Sequence, residues 1–220
     1  MKVTSTLKIY LEAITAAVTA KRMTEAEARI AASAILTDIT NHRLRMQKLS
    51  SSEKLDYALE AIRTQTEFQV SRDPNSSKIS CRRGCAFCCE QQVHVTRGEA
   101  ERIVDFAYAN GIALDYERLR TQAEIPERSP ENWTRSAHRR CVFLGDENEC
   151  RIYDVRPIVC RNHRVVSEPR LCNVRGVEDV ALYVIPKAEA ATTAYFTDAE
   201  MNALPQMLLE VERTKSASRT

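Results

Sequence analysis

The sequence predicts a mainly α-helical protein that carries a small, irregular α+β, cysteine-rich region, with a helical hairpin or bundle at the N-terminus. Three observations predict this. Apolar residues recur at helical spacing through residues 1–70. Glycine is scarce, with 5 in 220 residues, and aromatics make up only 6%, which disfavours a glycine-rich sheet or barrel. All 8 cysteines lie between Cys81 and Cys172, so the chain divides by composition.

Each element follows in order. Leu7, Leu11, Ile14 and Val18 share one face of a first helix. Thr24 with Glu27 three positions on is a capping box that starts a second helix. Its inward residues are expected to be Ile30, Ala34, Ile35 and Ile39. A third helix begins at the serines 50–52 and turns Leu55, Leu59, Ile62 and Phe68 inward. Residues 71–80 (SRDPNSSKIS) have the composition of a linker. Thr96 and Glu99 form another capping box, and the helix they open should stop at Asn110-Gly111. A shorter helix is expected from Asp115, and a loop over 126–132. The runs starting at Cys141 and Cys150 flank a polar turn, Gly145–Glu149, which suggests a small hairpin. Val180–Ile185 is expected to be a strand, and Thr197 with Glu200 to start a last helix containing Leu204, Met207 and Leu208. The domain reading is a helical extension over 1–72 and a cysteine domain over 78–175. Residues 176–220 then supply a short strand and a C-terminal helix that pack on that domain.

Composition narrows the function classes. The net charge is +2, so the overall balance gives no reason to expect nucleic acid or a membrane surface. No apolar run approaches the ~20 residues that cross a bilayer. The apolar N-terminal stretch is broken by Lys8 and Glu12, unlike a secretory signal. A cytoplasmic protein is therefore expected, and in a reducing compartment clustered thiols hold metal rather than form disulfides.

The chemistry lies in the cysteines. Cys81, Cys85, Cys88 and Cys89 fall within nine residues, a loop tight enough to aim several sulfurs at one point. Gly84 supplies the positive φ that such a loop needs. Thiolates select zinc, copper(I) or iron–sulfur clusters over hard cations. The adjacent Cys88 and Cys89 do not both fit one small tetrahedral site. Cys141, Cys150, Cys160 and Cys172 are widely spaced, so the fold must gather them. Eight sulfurs fit two four-cysteine sites, or one four-cysteine cluster with free thiols. Arg82, Arg83, Arg139, Arg140, Arg151, Arg156, Arg161 and Arg164 lie close to cysteines in sequence. They either offset thiolate charge or pair with nearby acidic residues. Of the histidines, His163 and His94 are the nearest further ligands, whereas His138 and His42 are less well placed.

These residues resemble the YkgJ-like cysteine-cluster family, described as a proposed zinc- or iron-chelating domain. The resemblance rests on Cys81-x3-Cys85-x2-Cys88-Cys89 and on Val95-Thr96-Arg97-Gly98-Glu99-Ala100. It continues through Cys141-Val142-Phe143-Leu144, Cys150-Arg151-Ile152-Tyr153 and Arg156-Pro157-x2-Cys160-Arg161, and covers about residues 78–175. It implies that the eight cysteines chelate an iron–sulfur cluster or zinc. Flagellin lysine methylase looks similar in its cysteine centre, which adds a reading as a redox or methyl-transfer enzyme. The C-x3-C-x2-C spacing also matches that of radical-SAM clusters. That superfamily places it after the first strand of a β/α barrel, and no such alternation of strands and helices is present here.

Three functions are therefore weighed. The metal is structural, stored or sensed, replacing a hydrophobic core that the loops of 78–175 do not build. Alternatively, an iron–sulfur enzyme uses Tyr153, Arg156, Arg161 and His163 around the centre, against a plainer reading with Tyr153 in the core and Arg156 ordering the loop. In the third, residues 1–70 bind a protein partner and zinc only stabilises the fold. The residues do not by themselves make the chain an enzyme.

Overall fold

A computed structural model describes residues 5–125, 133, 136–173 and 180–217. The chain divides into two compact units. The first comprises Met1–Ser77 with Leu182–Ala199, and the second Lys78–Ala181 with Glu200–Thr220.

The first unit is helical. It contains α1 (Ser5–Thr19), α2 (Glu25–Met46), α3 (Ser51–Val70) and, from the distant segment, α7 (Pro186–Phe196). The Thr24–Glu27 capping box forms, with the Glu27 carboxylate accepting the Thr24 N–H at 2.8 Å. Ser50 and Glu53 make a second box that starts α3. α7 was not legible as a helix. Every residue from Ala188 to Phe196 is buried, and α1, α2 and α3 all pack against it. Its small residues Ala188, Ala190, Ala191 and Ala194 admit close neighbours. Gln69 donates to the Val184 carbonyl at 3.1 Å and Tyr183 to Asp73 at 2.8 Å, which fastens the lead into α7. Residues 183–185 thus form an extended lead and no strand.

Because α7 sets the inner side, the stripe on α2 is Ile35, Ile39 and Met46. Ile30, expected inward, is 69% exposed, and Ala34 and Phe68 also face solvent. Phe68 instead carries the Arg72 guanidinium, 3.9 Å from its ring centre. Ile14 is buried as expected, while the side chain of Leu7 lies outside the described residues.

The second unit is built on a two-stranded antiparallel sheet, β1 (His94–Thr96) with β2 (Met201–Ala203), in register His94 to Ala203. The expected helix start at Thr197 is corrected here. Glu200 is taken by Arg97, whose backbone N–H donates to the Glu200 carbonyl at 3.1 Å and whose guanidinium meets its carboxylate at 2.6 Å. That pairing makes 201–203 a strand, and the last helix, α8 (Leu204–Ala217), starts after it. α4 (Arg97–Ala109) begins at the Thr96–Glu99 capping box and stops at Asn110, followed by Gly111 with φ +64°. α5 (Tyr116–Ala123) is capped by Asp115. α4 and α5 pack on α8 around Val95, Ile103, Leu119, Phe143, Met207 and Leu208. The second unit therefore has a hydrophobic core of its own, contrary to the expectation that metal must stand in for one. The runs at Cys141 and Cys150 do fold back on each other, but the regular pairing is the single bridge Leu144–Cys150. The loop expected over 126–132 lies outside the described residues.

Candidate metal centre

All eight cysteines lie in the second unit, and none is in a disulfide. The loop of Cys81 and Cys85 turns at Gly84, whose φ is +83°, and Cys85 donates its N–H to the Arg82 carbonyl at 3.0 Å. Cys88 and Cys89 sit in a 3-10 turn, Phe87–Glu90. Cys141 is drawn beside this turn by its N–H, which donates to the Cys89 carbonyl at 2.8 Å. Cys150 returns toward it through the Leu144 bridge. Cys160 lies in α6 (Ile158–Asn162), and Cys172 in a 3-10 turn, Pro169–Asn173, that packs against the Cys88–Cys89 turn. Gln91 donates to the Cys172 carbonyl at 2.6 Å.

Side chains that the sequence did not assign to the cysteine loops hold them in place. Glu99 is 4% exposed. One of its oxygens closes the capping box of α4, and the other accepts the N–H of Ile158 at 2.7 Å. It thereby fixes the start of the helix that carries Cys160. Gln122, buried on α5, donates to the carbonyls of His138 and Arg140, and at Arg140 the distance is 2.9 Å. The Trp133 indole donates to the Glu90 carbonyl at 2.8 Å, and Arg139 pairs with the Glu90 carboxylate at 2.8 Å.

The electrostatics show which groups share a neighbourhood. Burial pushes the Cys81, Cys150 and Cys160 thiols above their ordinary value, and lifts Cys141 and Cys172 to about 11. Negative charge on neighbouring thiolates adds to the rise. Cys88 is itself lowered to about 7, first because Cys89 donates its S–H to it and then, against the cost of burial, with help from Arg156. The same hydrogen bond raises Cys89. The charge of Cys88 is felt by Cys81, Cys89, Cys141, Cys150, Cys160 and Cys172, so this sulfur lies amid the rest.

Of the flagged arginines, Arg156, Arg161 and Arg164 bring positive charge to the thiols. Arg118, far from Cys141 in sequence, does the same for that residue. Arg140 and Arg151 instead bind backbone carbonyls of the hairpin, at 2.6 and 2.9 Å, and Arg82 and Arg83 are exposed. Tyr153 is 59% exposed rather than in the core, and the Arg156 guanidinium lies 4.3 Å over its ring. Loop ordering falls to Arg161, which donates to the carbonyls of Arg156, at 3.0 Å, and Asp154. The His163 Nε2 stands 3.6 Å from the Cys172 sulfur, and burial lowers its pKa, which favours the neutral ring. His94 is on β1, and His42 lies in the first unit bonded to Tyr57 at 2.7 Å.

The donor set fits a soft metal. It is made of sulfur, it draws on four separate stretches, and the buried Arg156 Nε–H has no acceptor among the described residues. Such an orphaned donor beside thiols suits the excess negative charge of a metal bound by several thiolates. Among the described residues, no three His, Cys, Asp or Glu groups already form a cage for an ion.

Residues 80–181 match the family model named CxxCxxCC, described as a proposed zinc- or iron-chelating domain. This segment, just under half of the chain, is similar to that family. No curated protein and no solved structure matches the chain significantly. Among the described residues, no helix is long and apolar enough to cross a membrane.

Proposed function

We propose that the CxxCxxCC domain binds zinc or an iron–sulfur cluster through Cys81, Cys85, Cys88, Cys89, Cys141, Cys150, Cys160 and Cys172. The observation that carries this is the gathering of eight free thiols from four stretches of chain in one unit, with the Cys141 N–H on the Cys89 carbonyl at 2.8 Å and the Cys172 turn packed on the Cys88–Cys89 turn. Arg156 serves as the half-buried positive charge and, through its buried Nε–H, as hydrogen-bond donor to the loaded sulfurs. Tyr153 holds its guanidinium in place, and Arg161 holds the loop on which both sit. The neutral His163 is suited to donate a hydrogen bond to the Cys172 sulfur. A bound zinc ion would supply a closed structural link, whereas an iron–sulfur cluster would add one-electron chemistry. Eight free thiols suit a reducing compartment, so we place the protein in the cytoplasm.

Anaerobic purification followed by metal and acid-labile sulfide analysis tests this reading. Iron with sulfide and a visible absorption band favours the cluster, and zinc in a colourless sample favours the structural ion. A chain that carries neither, and takes up neither on reconstitution, overturns the proposal.

A further inference from the structure

We propose that the solvent side of α2 is a docking seam for an amphipathic helix of a partner protein, one that carries acidic residues beside its apolar stripe. The seam lies in the helical unit and does not depend on the metal-binding reading above.

The seam follows from residue spacing. Ala26, Ile30, Ser33, Thr37, Thr40 and Leu44 are separated by alternate steps of four and three, and all are exposed. Such steps keep one side of a helix in line, here for about 27 Å. None of these residues is charged. They lie roughly opposite the Ile35, Ile39 and Met46 stripe that packs inward. Ile30 is 69% exposed and Leu44 is 54% exposed. The threonines add to the apolar character. The Thr37 hydroxyl donates to the Ser33 carbonyl and the Thr40 hydroxyl to the Leu36 carbonyl, each at 2.9 Å, so both protons are spent within the helix. Single exposed apolar residues are ordinary on a surface, but an aligned, uncharged strip with charged edges marks a contact surface. The inward stripe already meets what folding asks of α2, which leaves this second one for a partner.

The edges of the seam identify its occupant. Arg22, Arg29, Leu36 and Arg43 repeat every seven residues along one edge. Arg43 already holds the Asp198 carboxylate at 3.2 Å, so this edge does take acids. Arg22 and Arg29 are exposed and form no ion pair among the described residues. Leu36, 54% exposed, widens the apolar strip between Arg29 and Arg43. The opposite edge holds Glu27, Ala34, Asn41 and Lys48, and the Glu27 carboxylate is taken by its capping box with Thr24. A helix with matching apolar steps and Asp or Glu at its flanking positions therefore fits, since charges beside such a seam set partner choice. A second copy of this chain fits poorly. In an antiparallel two-fold pair the arginine edge faces itself, and in a parallel pair it faces the edge that carries Lys48.

The test uses the full chain and two synthetic helical peptides with leucine at every seam position, one with glutamate and one with lysine at the flanking positions. Fluorescence anisotropy is expected to show the glutamate peptide binding about tenfold more tightly, with the gap closing in high salt. Ile30→Gln and Leu44→Gln remove apolar surface while keeping charge and helix propensity, and each should weaken the glutamate peptide about tenfold. Arg22→Glu combined with Arg29→Glu should reverse the preference between the peptides. All four positions are exposed, so helical circular dichroism and metal content should stay as in the native chain, and two seam variants guard against one that misfolds. Equal binding of the two peptides, no binding of the glutamate peptide, or binding untouched by the seam substitutions overturns the proposal. A dimer in sedimentation velocity that Ile30→Gln dissociates overturns it too, and gives the seam to a second copy.

Discussion

Glu99 offers the sharpest test of how the fold positions the centre. Its carboxylate is buried and accepts three hydrogen bonds: from the Thr96 N–H at 2.9 Å, the Thr96 hydroxyl at 3.0 Å and the Ile158 N–H at 2.7 Å. Glu99→Ala leaves two buried backbone donors without acceptors, each costing about 1–3 kcal/mol. The hydroxyl can rotate elsewhere, and removing a buried carboxylate returns part of its desolvation cost. The net loss is expected to be about 3 kcal/mol. Glu99→Gln keeps the volume and one acceptor, so it should lose about 1–2 kcal/mol. Urea unfolding of the metal-free chain, followed by fluorescence of Trp133, reads this directly, because Trp133 is the only tryptophan and lies in the second unit. A loss below about 0.5 kcal/mol for Glu99→Ala, the range of an ordinary surface substitution, would refute the reasoning. The pH dependence adds a signature. Burial lifts the Glu99 carboxyl above its ordinary value of 4.5, so the folded chain holds this proton to higher pH than the unfolded chain. Its contribution is full below that ordinary value and falls as pH rises through the folded one. The deficit of Glu99→Gln should accordingly shrink as pH rises.

Three further outcomes are expected. Burial keeps Cys141 and Cys172 protonated at neutral pH, with pKa values near 11, so loading must displace their protons. Calorimetry in buffers of different ionisation enthalpy should show proton release and an affinity that climbs with pH, and a pH-independent affinity would contradict it. Arg156→Gln removes a positive charge that acts on Cys88 and should weaken metal binding about 10–100-fold in chelator competition, with Arg156→Lys failing to restore the stacked, multi-donor geometry. An unchanged affinity would remove Arg156 from the centre. Chelation should expose amides of residues 78–91 and 141–173 to hydrogen exchange while α4 and α8 stay protected by their apolar core. Uniform exchange over the whole unit would show that the core does not stand without metal.

Much of this was legible in local sequence. Thr24 with Glu27 and Thr96 with Glu99 gave helix starts because a capping box is satisfied within four residues. Gly84 and the cysteines were legible because only certain residue types do what they do. α7 was not, since a helix buried on every side has no polar stripe to betray its period. That hidden helix is also why Ile30 was misplaced: the inner face of α2 is set by a partner more than a hundred residues away. Thr197 and Glu200 form a plausible capping pattern, but Arg97 claims Glu200 from across the sheet. At the centre, Glu99 could be read as a cap but not as the acceptor for Ile158, and Arg118 reaches Cys141 only through tertiary packing.

The most direct test of the central claim is thiol footprinting. The protein would be purified anaerobically, alkylated before and after metal removal, and mapped by mass spectrometry. The expected result is that Cys81, Cys85, Cys88, Cys89, Cys141, Cys150, Cys160 and Cys172 resist alkylation while zinc or iron is bound and react once it is chelated. If these thiols react equally before and after chelation, the cysteines do not hold the metal.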